Sequence, residues 1–241
     1  MCLGSQKQTF PDFLYIIRHI IPKFRYKLPM KLYLVRHGET EANTQGIIQG
    51  QSDTRLTPRG VRQAQELGKR LNNEAIDAIF SSDLGRARET SAEINHYLDL
   101  PIRFLPELRE RHFGEFQGTS FPGFKTMLSE QGLDFYHYRP PGGESLSDLE
   151  ARVRSCLMTL VATHHGKSIV VSCHGGTNSM FIKVLLNLPR EDWHSIVQSN
   201  ACVNIFDIDP SGNGNSVLIN CIRHLNDVEN VLIDGDQGMP G

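Results

Sequence analysis

The stretch Lys31-Leu32-Tyr33-Leu34-Val35-Arg36-His37-Gly38-Glu39-Thr40 decides how the rest of the chain is read. Lys31 to Val35 is a short, nearly continuous apolar run, the pattern of a strand buried on both faces. It runs straight into Arg36-His37-Gly38, where the glycine permits a turn and a close backbone approach. The same shape recurs at Ser168 to Ser172, a β-branched run that leads into Cys173-His174-Gly175-Gly176. Two strands thus end in His-Gly, and in α/β folds the ends of strands are where ligand sites form.

Working outward, short apolar runs alternate with helical patterns. Thr57-Pro58 supplies an N-cap and a proline at the first helical position, with Val61, Ala64, Leu67 and Leu71 following at helical spacing. Ala78 to Ser81 predicts a second strand, followed by a helix with Ala87, Thr90, Ile94 and Leu98 on one face and Arg86 at its N-terminal end. Ile102 to Leu105 predicts a third strand. From Pro106 to Gly143 the chain reads as irregular and aromatic, the roof of a pocket. Ser147-Asp148-Leu149-Glu150 has capping-box spacing and opens a long amphipathic helix through Val153, Leu157, Leu160 and Val161. Cys202 to Ile208 and Val217 to Ile222 predict the last strands, joined by the turn Pro210-Ser211-Gly212-Asn213-Gly214. This order specifies an α/β protein, a three-layer α/β/α sandwich around a mostly parallel central sheet.

With 241 residues, 39% hydrophobic and 22% charged, the chain can bury one sizeable core. Residues 1–29 read as an accessory extension: Phe13 to Ile17 is cut short by Arg18 and His19, and the basic residues around them leave a targeting role open. The compact domain is expected over 30–241, with its pocket roof at about 115–143. A formal net charge of -2 gives no global field for nucleic acid or an anionic membrane. No apolar run approaches the ~20 residues of a membrane span. Five scattered cysteines without a CxxC pair fit reduced thiols, and so a cytoplasmic protein. A homodimer is compatible with the sequence.

Cleaving a phosphate monoester without a metal requires fixed positive charge around the phosphoryl oxygens, an in-line nucleophile and a proton for the leaving oxygen. The residue types for this occur in order: Arg36-His37-Gly38, Asn43, Gln49-Gly50, Leu56-Thr57, Ser82-Asp83-Leu84-Gly85-Arg86, Leu108-Arg109-Glu110 and Cys173-His174-Gly175. In these motifs the chain resembles the histidine phosphatases, or phosphoglycerate mutase-like superfamily, from Met30 to about Leu225. The resemblance implies that fold, no cofactor, a small-molecule phosphate ester as partner and a phosphohistidine on His37. It makes Arg36 and Arg86 phosphate ligands, Asn43 a phosphate-contacting amide, Glu110 the proton donor and His174 the second pocket histidine. Gln49, Gly50 and Gly175 fall with the substrate-binding segments. Apart from the adjacent His164-His165 the histidines stand singly, and no HxxxH ligand spacing of a metal site occurs.

From these assignments, neutral His37 attacks through one ring nitrogen while a backbone carbonyl beside the motif holds the other. Arg36 and Arg86 match phosphate oxygens with planar donor forks. His174 is expected to be protonated beside the dianion, and Glu110 to be kept in its acid form by the phosphate and an apolar wall. Glu107, Glu115 and Glu144 are the other carboxylates near that loop. Two further functions compete with hydrolysis: a cofactor-dependent phosphoglycerate mutase and a phospho-ligand-binding module. Thr119 to Arg139 holds only Lys125 and Arg139 as cations among five aromatic residues, which suits an apolar or aromatic leaving group, or a small helical lid, and favours hydrolysis over handling a second phosphate.

Overall fold

The computed structural model describes residues 28–226 and 228. Apart from Leu28 and Pro29, the extension lies outside the described residues. Strand β1, Met30–Arg36, is followed by the single turn α1, Glu41–Thr44, and by helix α2, Pro58–Leu71. Next come β2, Ala78–Ser81, helix α3, Gly85–Leu98, and β3, Ile102–Phe104. Helix α4, Phe121–Glu130, stands in the roof, followed by α5, Leu146–Thr163, β4, Ser168–Cys173, and α6, Gly175–Leu185. The strands β5, Val203–Ile208, and β6, Gly214–Cys221, complete the domain.

The sheet has six strands in the order β3-β2-β4-β1-β5-β6. β1 pairs parallel to β4, and β2 pairs parallel to both β3 and β4, while β5 runs antiparallel to β1 and to β6. Side chains alternate across it. Leu32 and Leu34 enter the core beneath α5 and α6, and Tyr33 and Val35 enter the core beneath α2 and α3. Burial on both faces is why β1 reads as a continuous apolar run, and the expected three-layer, mostly parallel α/β sandwich is what forms.

The caps follow the sequence with one shift. Thr57 caps α2 through Gly60 N, with Pro58 at the first helical position. For α5 the capping box is Ser145 with Asp148, two residues earlier than the Ser147 expected, since Asp148 is the third helical residue and bonds back to Ser145. The third strand stops at Phe104, short of Leu105, and β6 begins at Gly214, earlier than the expected Val217, because Gly214, Asn215 and Ser216 already pair with Ile208, Asp207 and Phe206. The expected irregular segment contains α4, capped by Ser120 through Gly123 N, with Pro122 in its first turn. Its Phe124 and Leu128 join Ile48 and Phe113 in a separate apolar cluster. No helix among the described residues is long and apolar enough to cross a membrane.

Candidate active site

Sheet register builds the centre of the site. Arg36 pairs with Cys173 across β1 and β4, so the next residue of each strand, His37 and His174, must emerge side by side. Their ring centroids are 5.3 Å apart, and His37 N donates to Cys173 O at 3.0 Å. Ser81 of β2 pairs with Ser172 of β4, which brings the following Ser82 beside His174, Oγ to Nε2 at 2.8 Å.

The turn after His37 is fixed by contact with α2. A Cβ on Gly38 would lie 2.3 Å from Gly60 O, and one on Gly60 would lie 2.0 Å from Glu39 O. Neither position tolerates a side chain unless backbone moves. Gly38 N donates to Thr90 Oγ1 of α3, whose hydroxyl in turn donates to Arg86 O. His37 Nδ1 lies 2.7 Å from Gly38 O. A carbonyl only accepts, so Nδ1 carries the proton and Nε2 is left with a lone pair. Burial, then Arg86 and Arg36, holds the His37 pKa well below the usual histidine range. His37 is therefore a neutral imidazole at physiological pH.

A cavity opens above it, lined on its floor by Arg36, His37, Asn43, Arg86, Gly175 and Gln198 and on its far side by Glu110. Its space, about 740 Å3 counted out to the open mouth, suits a small molecule. Arg36 Nη1 donates to Gln198 O. Arg86 is held by Gly50 O at 2.7 Å and Ser52 O at 3.0 Å. Asn43 Oδ1 accepts from Thr40 N, Thr40 Oγ1 and Asn200 Nδ2. With its oxygen so occupied, Asn43 has its amide NH2 to offer an oxyanion.

Gln49 and Gly50 also line the cavity, in a strap over 46–50 that pairs with 118–121 of the roof: Ile48 N donates to Thr119 O and Gly118 N to Ile48 O. Ile47, Ile48, Phe113 and Phe121 make this wall apolar. Among the described residues, Arg36 and Arg86 are the cations on the cavity wall and Glu110 is its acid. Lys125 and Arg139 are not on it, and Arg139 pairs with Asp148 at 2.7 Å. The rival carboxylates are elsewhere: Glu107 and Glu115 are exposed, and Glu144 pairs with Arg152.

Two expectations change. Glu110 does not face an apolar wall with its whole carboxyl group. Its oxygens accept from Gly176 N, Thr177 N, Thr177 Oγ1 and Arg111 N, so it supplies the N-terminal cap that His174 does not give α6. His174 is fully buried behind His37 and is not on the cavity wall. Burial, then Arg86, His37 and Arg36, holds its pKa well below the usual range. A protonated His174 thus requires a proton that arrives with the dianion.

Sequence reading missed the supports that come from distant loops. Ala201 N donates to His37 O at 3.0 Å, from a residue held at φ 52. Asn200 and Gln198 belong to the same set. Each is a polar residue in no motif, made meaningful only by which strand end it reaches. Arg88 is exposed and lies over the Phe104 ring at 4.3 Å. Among the described residues, no group of three His, Cys, Asp or Glu side chains converges as a metal-ligand set.

A model described as Histidine phosphatase superfamily (branch 1) matches residues 32–221. The adenosylcobalamin/alpha-ribazole phosphatase of Escherichia coli is 33% identical over 185 residues, 75% of this chain and 91% of that protein. The Salmonella choleraesuis protein named probable phosphoglycerate mutase GpmB is 34% identical over 189 residues, 76% of this chain and 86% of its own length. Among solved structures, mycobacterial glucosyl-3-phosphoglycerate phosphatase superposes with a TM-score of 0.73 at 28% identity, over 80% of this chain and 100% of that one.

Proposed function

The chain belongs to the histidine phosphatase superfamily, and from that membership and the geometry of its cavity we propose that it hydrolyses a small phosphate monoester through a phosphohistidine on His37. The observation that carries this is the state of His37: neutral, its Nδ1 locked on Gly38 O, flanked by two buried arginines and faced by one carboxyl group. His37 Nε2 attacks phosphorus while the bond to the leaving oxygen breaks, and Glu110 gives that oxygen a proton. Arg36, Arg86 and the Asn43 amide hold the phosphoryl oxygens, and a proton that the ester carries in rests on His174, shares the developing charge and leaves again with the phosphate. Glu110, now a carboxylate, then takes a proton from water as that water's oxygen attacks phosphorus and the N–P bond breaks. Phosphate leaves with His37 and Glu110 restored.

Relatives named as phosphatases and as a mutase both match this chain, so its own cavity has to choose between the activities. A mutase must hold a substrate that keeps a second anionic group. With Arg36 and Arg86 committed to the transferred phosphoryl group and an apolar strap and roof around the leaving group, the cavity favours a neutral leaving group and hydrolysis. The test is a full-length preparation given nitrophenyl phosphate in excess EDTA. Undiminished release of phosphate is expected. Loss of activity with rescue by magnesium or zinc, or mutase turnover exceeding hydrolysis on phosphoglycerate, contradicts the proposal.

A further inference from the structure

Arg111, the residue after Glu110, is fully buried, and among the described residues no carboxylate forms a direct ion pair with it; Glu110, Glu144 and Asp148 act on it only through their charge. Its Nε donates to Glu144 O at 2.8 Å and its Nη2 to Tyr138 O at 3.0 Å. Its guanidinium carbon lies 4.7 Å from the centre of the Phe113 ring, 5.2 Å from Phe135 and 5.9 Å from Phe124. Burial draws the group down to a pKa of about 10, which still leaves it charged at neutral pH. A desolvated cation is costly, and here it is met by two carbonyls and three aromatic faces. Those partners come from four places: Phe113, two residues further along the chain, helix α4, the segment 134–138 that follows it, and the approach to α5. On its other side, the backbone N–H of Arg111 donates to Glu110 Oε1 at 2.8 Å.

We infer that Arg111 is a positioning residue that ties the proton-donating carboxyl group of Glu110 to the apolar roof over the leaving group. Packing of the roof around a leaving group and aim of the proton are then set by one side chain. Arginine is required because its planar fork reaches two carbonyls in fixed directions while its faces stack on rings. This rests on the proposed role of Glu110, and the test separates the two.

The experiment compares an alkyl phosphate with nitrophenyl phosphate in the full chain carrying Arg111→Met, Arg111→Lys or Glu110→Gln, with inhibition by inorganic phosphate measured alongside. Glu110→Gln tests the donor role itself and must widen the gap between the substrates. Given that, Arg111→Met is expected to lower alkyl phosphate turnover by about 10- to 100-fold, a part of what a whole general acid contributes. The nitrophenyl ester should change less than about threefold on the same scale, since its leaving group needs no proton. Inhibition by phosphate should not move, because the floor is untouched. If Arg111→Met does not fold, Arg111→Lys decides, with a smaller change in the same direction. Equal loss on both substrates, or unchanged selectivity in the folded variant read, overturns the role of Arg111. A flat response to Glu110→Gln instead overturns the donor assignment on which it rests.

Discussion

The floor and the roof of the cavity are built by different means. On the floor, backbone register does the positioning: paired strand ends bring His37 and His174 together, and the Gly38–Gly60 contact leaves the turn no room to relax. In the roof, side chains do it, with aromatic rings packed around Arg111 and a strap held by a few backbone bonds. A floor fixed by backbone suits the invariant part of the reaction, the phosphoryl group. A roof fixed by side chains suits the part that differs between substrates.

That contrast can be broken most strongly at Glu110, where the two regions meet. Glu110→Gln should reduce alkyl phosphate turnover by about 10²- to 10⁴-fold and affect nitrophenyl phosphate far less, measured under single-turnover conditions. Equal slowing of both would return the proton to another group. Arg86→Met attacks the floor alone. A loss of about 10²- to 10³-fold is expected for both substrates equally, and a leaving-group-dependent loss would show that Arg86 does not serve the phosphoryl group.

Gly60→Ala tests whether the floor is as rigid as its contacts imply. A destabilisation of about 3 kcal/mol is expected in urea titrations, with activity falling on every substrate alike; a neutral variant would mean that the turn can yield. A pH titration probes the support beneath the floor, where His224 Nε2 donates to Ala201 O at 3.0 Å. Burial draws its pKa from 6.5 down to about 4. The unfolded chain therefore binds the proton more readily, so stability is full above pH 6.5 and falls as pH drops toward 4. His224→Gln should flatten that loss by up to about 3 kcal/mol, leaving the part due to His37 and His174, which shift in the same direction. An unchanged slope would remove His224 from the account.

The smallest effect is expected at the N-terminus. Leu28 O accepts from Gly166 N at 3.1 Å, so removal of residues 1–27, keeping Leu28, should leave melting temperature and turnover nearly unchanged. A clear fall in melting temperature would extend the domain beyond residue 28.

The floor was largely legible in the sequence because its signals are local. An apolar run ending in Arg-His-Gly or Cys-His-Gly specifies both the strand and the turn, and Thr57-Pro58 specifies the start of α2. The strand order was not legible, since nothing within β1 says that its neighbours are β4 and β5. Asn200 and Gln198 were missed for the same reason: their meaning lies in bonds to His37, Asn43 and Arg36, more than 150 residues away in sequence. In the roof, a small helical lid was one reading of Thr119 to Arg139, but the bounds of α4 were not legible, because Pro122 and Gly123 in its first turn and the aromatic residues around it also read as loop, and its Phe124 and Leu128 pack in a small separate cluster. The surroundings of Glu110 were misread because the amides that hold it belong to the start of α6.

The most direct measurement mixes the protein with a radiolabelled phosphate ester, quenches within one turnover and follows the label on the protein. A phosphoryl group on His37 that is acid-labile and base-stable, formed before phosphate is released and missing from His37→Ala, is the predicted result. Turnover without any labelled protein, or label that survives in His37→Ala, would contradict the central claim.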